Sequence, residues 1–106
     1  MSTFTPGLLG NGQLSSSSVA LYTVPVATEA LIKNVILVNT ASGLVNINLY
    51  VDTGSGLRNL INPNMDLNDG SKLVLSDLFL SAGMSLGGNA STGSVVDYTI
   101  HGVEQV

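Results

Sequence analysis

The stretch Leu44–Val51, LVNINLYV, alternates strictly between apolar and polar side chains after its first residue. On an extended chain successive side chains point to opposite faces, so the apolar members of this stretch share one face. The other face then carries Asn46, Asn48 and Tyr50. The stretch therefore predicts a strand that lies with one face on a hydrophobic core.

Several more segments have the composition of strands and are separated by turn residues such as Gly, Asn, Asp and Pro. Their spacing of about 8–12 residues is typical of an antiparallel sandwich or jelly roll. We therefore predict an all-β fold, an antiparallel β-sandwich or jelly roll of about eight short strands. A helical turn is considered only at Leu75–Phe79. The predicted strands are Val19–Pro25, Ala30–Thr40, Leu44–Val51, Leu57–Ile61, Lys72–Leu75, Leu78–Leu80, Met84–Leu86 and Val95–Val103.

Two features of the sequence bear on how the strands and the surface are covered. The strand Ala30–Thr40 contains an uninterrupted apolar run, Val35 to Val38, which favours a strand covered on both faces. Charged residues make up only 9% of the chain, against a usual share of about 25%. A surface with so few charges is poorly protected against association. We therefore predict that sister subunits or a larger assembly cover much of it.

The charges also exclude some partners. The net charge is −4, and Lys33, Arg58 and Lys72 are the only cationic side chains, so a nucleic-acid partner is not expected. The chain has no cysteine, which excludes disulfides and thiolate metal sites. The first 18 residues lack the basic region and apolar core of a signal peptide, and no apolar run approaches about 20 residues. Synthesis in a cytoplasm and no membrane partner are expected.

The first 18 residues are rich in Ser, Gly and Thr, with leucines at irregular spacing. We predict that residues 1–18 form an extended N-terminal arm and that residues 19–106 form the β-sandwich domain. Two interpretations of the arm stand side by side: terminal disorder, or a strap that becomes ordered on a partner.

The tetrapeptide Asp52-Thr53-Gly54-Ser55 matches the catalytic loop of pepsin-like and retroviral aspartic proteases. That chemistry needs two carboxylates sharing a proton, so a chain with one such motif would have to dimerise through the loop. The expected downstream segment, apolar-apolar-Gly leading into a helix, is matched only by Ser85–Gly88, which a turn and a strand follow. We therefore interpret the motif as a turn that follows the strand, and predict no catalytic residue.

Two other groups of polar residues were considered as sites. His101, the only histidine, has Asp97 on the same face of its strand, but strand residues four apart are about 13 Å apart, too far for a hydrogen bond. The loop Asn62–Gly70 alternates Asx residues as a calcium loop does, but lacks the bidentate glutamate. No cofactor and no metal ligand are predicted.

Two long segments resemble small virion proteins of tailed bacteriophages. The first is LYTVPVATEALIKNVILVNTASGLVNINLYV, similar to an opening in which a T-V-P-x-x-T turn leads into a strand ending V-x-N-T. The second is FLSAGMSLGGNASTGSVVDYTIHGVE, similar to a closing part with an L-x-A-G-D turn and a last strand ending S-G-V-E. Together they cover most of Leu21 to Glu104. Met84 departs from the pattern, since an acidic residue is usual there.

The resemblance implies a non-enzymatic β-sandwich or jelly-roll protein that forms homotrimers and decorates or cements a phage capsid by binding the major capsid protein. It implies a location on the capsid surface of the virion, after synthesis in the host cytoplasm. The alternatives are a tail, baseplate or fibre module that binds another virion protein or a host glycan, and, more distantly, a homodimeric aspartic protease using Asp52. The predicted interface residues are Phe4, Leu8, Leu9 and Leu14 in the arm and Asn46, Asn48 and Tyr50 on the outward face.

Overall fold

A computed structural model describes residues 4–106 of the chain, and these residues form nine strands and no helix. The strands are β1 (Phe4–Gln13), β2 (Val19–Thr23), β3 (Glu29–Asn39), β4 (Val45–Asp52), β5 (Leu57–Asn59), β6 (Met65–Leu67), β7 (Lys72–Leu80), β8 (Ser85–Ala90) and β9 (Val96–Gln105).

The strands form two antiparallel sheets. Sheet A has the order β1-β9-β3-β7, and sheet B has the order β2-β8-β4-β5, with β6 also paired to β4. Most connections carry the chain from one sheet to the other, and only β4, β5 and β6 follow one another within one sheet. This order is that of a jelly roll, so the predicted fold class is confirmed.

The core lies between the sheets and is built from the alternating strands. In β4 the apolar members of the opening stretch are all buried, as predicted. They face β3, where Ile32, Val35 and Leu37 are fully buried, and β9, where Val96 and Ile100 are. Side chains between two packed sheets leave water on folding, which supplies most of the stabilisation.

Two polar groups tie the sheets together inside the molecule. Asn39 is 1% exposed, and its amide donates to the carbonyl oxygens of Leu67 at 2.8 Å and Gly43 at 3.0 Å, while its Oδ1 accepts from the Ala41 amide. The Tyr22 hydroxyl, on β2 of sheet B, donates to Glu104 Oε2 on β9 of sheet A at 2.5 Å. These buried groups therefore have the partners that burial requires.

Sheet A carries bulges along one row. Relative to β9, β1 has one extra residue at Leu9 and β3 has one at Lys33. Next to Lys33 on β7, Asp77 has φ +59° and forms an ion pair with the lysine at 3.8 Å. Bulges bend and twist a sheet locally and shift which side chains point outward. They explain why Ile32 and Val35, three residues apart, both point into the core.

The structure corrects several sequence-based boundaries. Lys72–Leu80 is one continuous strand, not two strands with a helical turn, because it pairs with β3 from end to end. Strand β6 was not predicted, and β8 continues through Gly87 and Gly88, where the sequence indicated a loop.

The predicted arm also has a different structure within the described residues. Phe4–Gln13 is a strand of sheet A, paired along the whole of β9. Leu14 follows it and exchanges backbone hydrogen bonds with Val96 and Ser94 at 2.8 and 3.0 Å. Residues 4–14 are therefore part of the sandwich of this chain.

Candidate interaction surface

The outward face of sheet A is apolar over much of its area, and we call it the open face. One row across it is apolar on all four strands: Pro6, Val103, Leu31 and Phe79 are neighbours in register. Phe4 lies two residues before Pro6 on β1, in the adjacent row with Gln105 and Glu29. Phe4 is 64% exposed and Phe79 62% exposed. Such contiguous exposed apolar surface is typical of interaction sites.

A groove of about 280 Å³ lies on the open face, across the apolar row and the adjacent row that contains Phe4. Its walls come from Phe4 and Phe79 on the two edge strands, and Leu31 and Val103 lie between them on the central strands. Glu29 and Gln105 line its end. Since neighbouring strands are about 4.8 Å apart, the backbones that carry the two phenyl rings are separated by three spacings, or about 14 Å.

The other rows of the open face mix polar and apolar side chains. The second row is Leu8, His101, Asn34 and Ser76, and the third is Asn11, Thr99, Ile36 and Val74. The apolar run of β3 supplies Ile36 and Val38, which remain half-buried because no other element of the described chain covers them. The sequence indicated a strand covered on both faces. Sheet B covers the inner face, and no element among residues 4–106 covers the outer face.

The outward face of sheet B is polar, in contrast. Asn46, Asn48 and Tyr50 lie on it, as the alternation predicts, and on β8 Asn89 is in register with Asn48 and Gly87 with Tyr50. Asn46 Nδ2 donates to Asp66 Oδ1 at 2.5 Å. Asn48 Oδ1 accepts from the Asn64 amide at 2.9 Å and its Nδ2 donates to Asn64 Oδ1 at 3.1 Å. The two asparagines therefore hold the loop before β6 against β4.

Tyr50 lies across β8. A Cβ atom built on Gly87 would be 2.6 Å from the tyrosine ring, so only glycine fits beneath it. The Tyr50 hydroxyl forms a hydrogen bond with Ser18. The partners of all three predicted outward residues lie within the chain, and their role in an interface stays a prediction.

The leucines and the phenylalanine predicted as arm contacts fall in three environments. Phe4 and Leu8 are on the open face, where Leu8 is 52% exposed. Leu9 is half-buried and packs against the core. Leu14 has no exposed surface at all. Phe4 and Leu8 are therefore the two that can offer surface to a partner, and Leu14 stabilises the sandwich itself.

Sequence reasoning did not find Phe79, Leu31 or Val103 as surface residues. Their strands were recognised, but which of their faces points outward depends on the bulge at Lys33 and on the positive φ of Asp77 opposite it. The apolar run of β3 was the one signal in the sequence for an apolar outer face. It could not identify the patch, because the residues of β7 and β9 that complete it are set by strand pairing.

The aspartate of the protease-like motif caps its own turn. Asp52 Oδ1 accepts a hydrogen bond from the Gly54 amide at 2.9 Å, and Gly54 has φ +88°. The Gly56 carbonyl oxygen accepts from both the amide and the hydroxyl of Thr53 at 3.0 and 3.1 Å. These contacts are those of an Asx-type turn between β4 and β5. They account for the residues of the motif without catalysis.

Over the described range 4–106, no group of three or more His, Asp or Glu side chains is placed to hold a metal ion. His101 is exposed on the open face, in register with Leu8 and Asn34. No helix long and apolar enough to cross a membrane occurs in that range.

The Tyr22 phenol on β2 has a shifted pKa. Burial raises the pKa of the Tyr22 phenol well above its usual value, and the hydrogen bond and negative charge of Glu104 raise this pKa further. The phenol therefore keeps its proton, and its hydrogen bond between the sheets, into alkaline solution.

Comparison of the sequence with protein-family models finds no match, and comparison with curated protein sequences finds none either. The search of solved structures does find matches. A chain in the structure of infectious bursal disease virus, Gx strain, is 10% identical with a TM-score of 0.50, over 99% of this chain and 31% of that one. In the VP2 subviral particle of infectious bursal disease virus, a chain is 10% identical with a TM-score of 0.49, over 98% and 32%.

A pentameric capsid protein isolated from metagenomic phage sequences is 14% identical with a TM-score of 0.41, over 92% of this chain and 63% of that one. The chain thus spans about a third of the infectious bursal disease virus chains. At such identities a structural likeness shows fold alone, and of these three chains the Gx-strain chain reaches a TM-score of 0.5. What this chain shares with that chain is a β-sandwich fold.

Proposed function

We propose that the chain is a non-enzymatic structural protein of a bacteriophage virion, which decorates the capsid and cements it by binding major capsid protein subunits. The observation that carries the proposal is the open face: a rigid sandwich presents an apolar surface that its own chain leaves uncovered. A protein whose surface is buried in a permanent assembly can carry such a face, whereas a monomer exposing it would aggregate.

The surface of the sandwich suits mechanical work better than chemistry. The Asp52 carboxylate accepts from the Gly54 amide within its turn, and His101 is in register with Leu8 and Asn34, neither of which is an acid–base group. Twin sheets with a continuous core resist deformation, so a sandwich seated between capsid subunits transmits force between them. The proposal therefore assigns the chain to the capsid surface of the virion, after synthesis in the host cytoplasm.

The partners in this proposal are the major capsid protein and further copies of the chain, in a homotrimer. The low charge of the chain and the family resemblance support several copies at one site. On β1, Phe4 and Leu8 provide apolar contact on the open face, so we keep them as interface residues. We also keep Asn46, Asn48 and Tyr50 as interface residues on the outward face of sheet B. Their position on that face is the only observation that supports this role.

Fractionation of purified particles tests this function. Heads and tails of the phage that encodes the chain are separated, and each fraction is analysed by mass spectrometry for peptides of this chain. The proposal expects the chain in the head fraction, and expects heads lacking it to lose their DNA at lower temperature. Its presence in tails alone would contradict capsid decoration.

The same experiment addresses the second candidate, a tail, baseplate or fibre module that binds another virion protein or a host glycan. The polar face of sheet B favours this candidate, because amide and hydroxyl groups beside an aromatic ring suit a sugar. Against it, the amides of Asn46 and Asn48 are already used by Asn64 and Asp66. Recovery in tails, together with binding to a glycan array lost in Tyr50→Ala, would favour it.

A further inference from the structure

The two halves of an apolar contact lie side by side on the open face. Phe79 protrudes from the edge strand β7, and next to it the groove lies over Leu31 and Val103 with Phe4 as its far wall. A width of about 14 Å between the strands that carry the walls leaves room for one aromatic side chain. A surface that holds both a protruding ring and a groove for it fits another copy of itself.

One row of the open face carries opposite charges on two of its strands. Lys72 on β7, Val38 on β3 and Asp97 on β9 are in register, so Lys72 and Asp97 lie at the same end of the face, two strand spacings apart. When a second copy lies face to face with the first and its strands run in the same direction, the β7 edge of each copy lies over the β1 and β9 side of the other. Lys72 of one copy then comes close to Asp97 of the other, which is electrostatically favourable.

The size of the open face is also sufficient. Four strands span about 19 Å and ten residues about 33 Å, which gives roughly 600 Å² in plan. The relief of side chains raises the accessible area above that figure. A stable interface buries about 800 Å² on each partner. The open face as a whole is therefore large enough to hold two copies together.

We propose that copies of this chain meet through the open face, with Phe79 of one copy seated in the groove between Phe4 and Phe79 of another. Lys72 then lies near Asp97 of that second copy. This inference rests on the proposed function for the identity of the larger assembly, and it adds the surface through which the copies meet. It assigns the open face to contacts between copies and leaves the remaining surface to the capsid protein.

Sedimentation of the purified full chain tests the inference. The wild type is expected to sediment as a dimer or a larger oligomer, with a mass that is a multiple of 10.9 kDa. Phe79→Ser is expected to weaken self-association about tenfold or more, because truncating a central aromatic contact typically costs at least that much. Leu57→Ser is the matched control, since Leu57 is 54% exposed but lies on sheet B. Its self-association should equal that of the wild type.

Cross-linking gives the partner residue. The chain has no cysteine, so Ser76→Cys on β7 and His101→Cys on β9, both exposed in the row next to Phe79, each carry a single thiol and leave Phe79 and the groove intact. After the two proteins are mixed, a short bismaleimide should join them into a covalent dimer, whereas a mixture of Ser76→Cys with Leu57→Cys should stay uncoupled. Circular dichroism confirms that each variant is folded. The cross-link also carries the test if Phe79→Ser were to unfold.

A wild type that sediments at 10.9 kDa at every concentration would overturn the inference, as would a Phe79→Ser variant that associates like the wild type. These outcomes are separate from those of the particle experiment. A monomer found on heads would refute the contact between copies and keep the proposed function. An oligomer that is absent from heads would refute the proposed function and keep the contact.

Discussion

Replacing Tyr22 with phenylalanine removes one oxygen atom and with it the hydrogen bond between sheet B and Glu104 of sheet A. The ring stays, so no cavity forms in the core. The lost bond has a charged acceptor, and bonds of this kind contribute about 1.5–3 kcal/mol to stability. We expect the free energy of unfolding of Tyr22→Phe to be lower than that of the wild type by this amount at neutral pH.

The effect depends on pH in a direction that the environment of Tyr22 fixes. In the folded chain burial, followed by Glu104, raises the pKa of Tyr22, whereas in the unfolded chain the phenol loses its proton near pH 10. Below pH 10 both states hold the proton and the contribution of Tyr22 is constant. Above it the unfolded state binds fewer protons, so the free energy of unfolding falls by about 1.4 kcal/mol per pH unit on account of this group.

Urea unfolding followed by far-ultraviolet circular dichroism, at pH 8 and at pH 11, measures both effects. The stability difference between wild type and Tyr22→Phe should shrink between these pH values, because only the wild type has the titrating phenol. Glu104→Gln keeps an acceptor oxygen and removes the charge, so it should retain part of the bond. A difference between wild type and Tyr22→Phe that is absent at pH 8, or equal at pH 8 and pH 11, would refute the reasoning.

Three further predictions follow from single contacts. Leu14→Ala should lower the free energy of unfolding, measured by urea unfolding, by about 2–5 kcal/mol, because Leu14 is fully buried. Leu8→Ala makes the same change on the open face and should lower it by under about 0.5 kcal/mol. Equal losses in the two variants would show that residues 4–14 are not part of the sandwich. Gly102→Ala should cost about 1–3 kcal/mol or prevent folding, because the added Cβ would overlap the carbonyl oxygen of Leu31, whereas Gly43→Ala has open space and should be nearly neutral in a thermal melt. Asp52→Asn keeps the oxygen that accepts from Gly54, so its stability should change by under about 0.5 kcal/mol, and neither it nor the wild type should cleave a peptide library at acidic pH; cleavage abolished by the substitution would establish the protease.

Local patterns were enough to predict the fold class and the alternation of β4. In β4 the alternation of apolar and polar residues predicts which side chains are buried, and turn residues indicate most of the connections between strands. The motif at Asp52 was also interpreted correctly as a turn, because Asp and Gly are the residues that such a turn requires.

The parts that the sequence did not predict depend on contacts between distant residues. Gly87 and Gly88 indicate a loop in the sequence, yet both lie in β8 and pair with β2 and β4. A glycine is needed at both positions because the Tyr50 ring and the Asn48 carbonyl oxygen occupy the space that a side chain would take. Residues 4–13 have no periodic pattern and belong to sheet A only through their pairing with β9. The composition of the open face depends in turn on bulges, which local sequence does not specify.

Electron cryomicroscopy of the intact phage particles tests the central claim most directly. The account predicts density for the nine-stranded sandwich on the outside of the head, with the open face of sheet A covered by neighbouring protein and the Phe79 ring enclosed. Density for the chain only in the tail, or an open face of sheet A turned towards solvent, would contradict it.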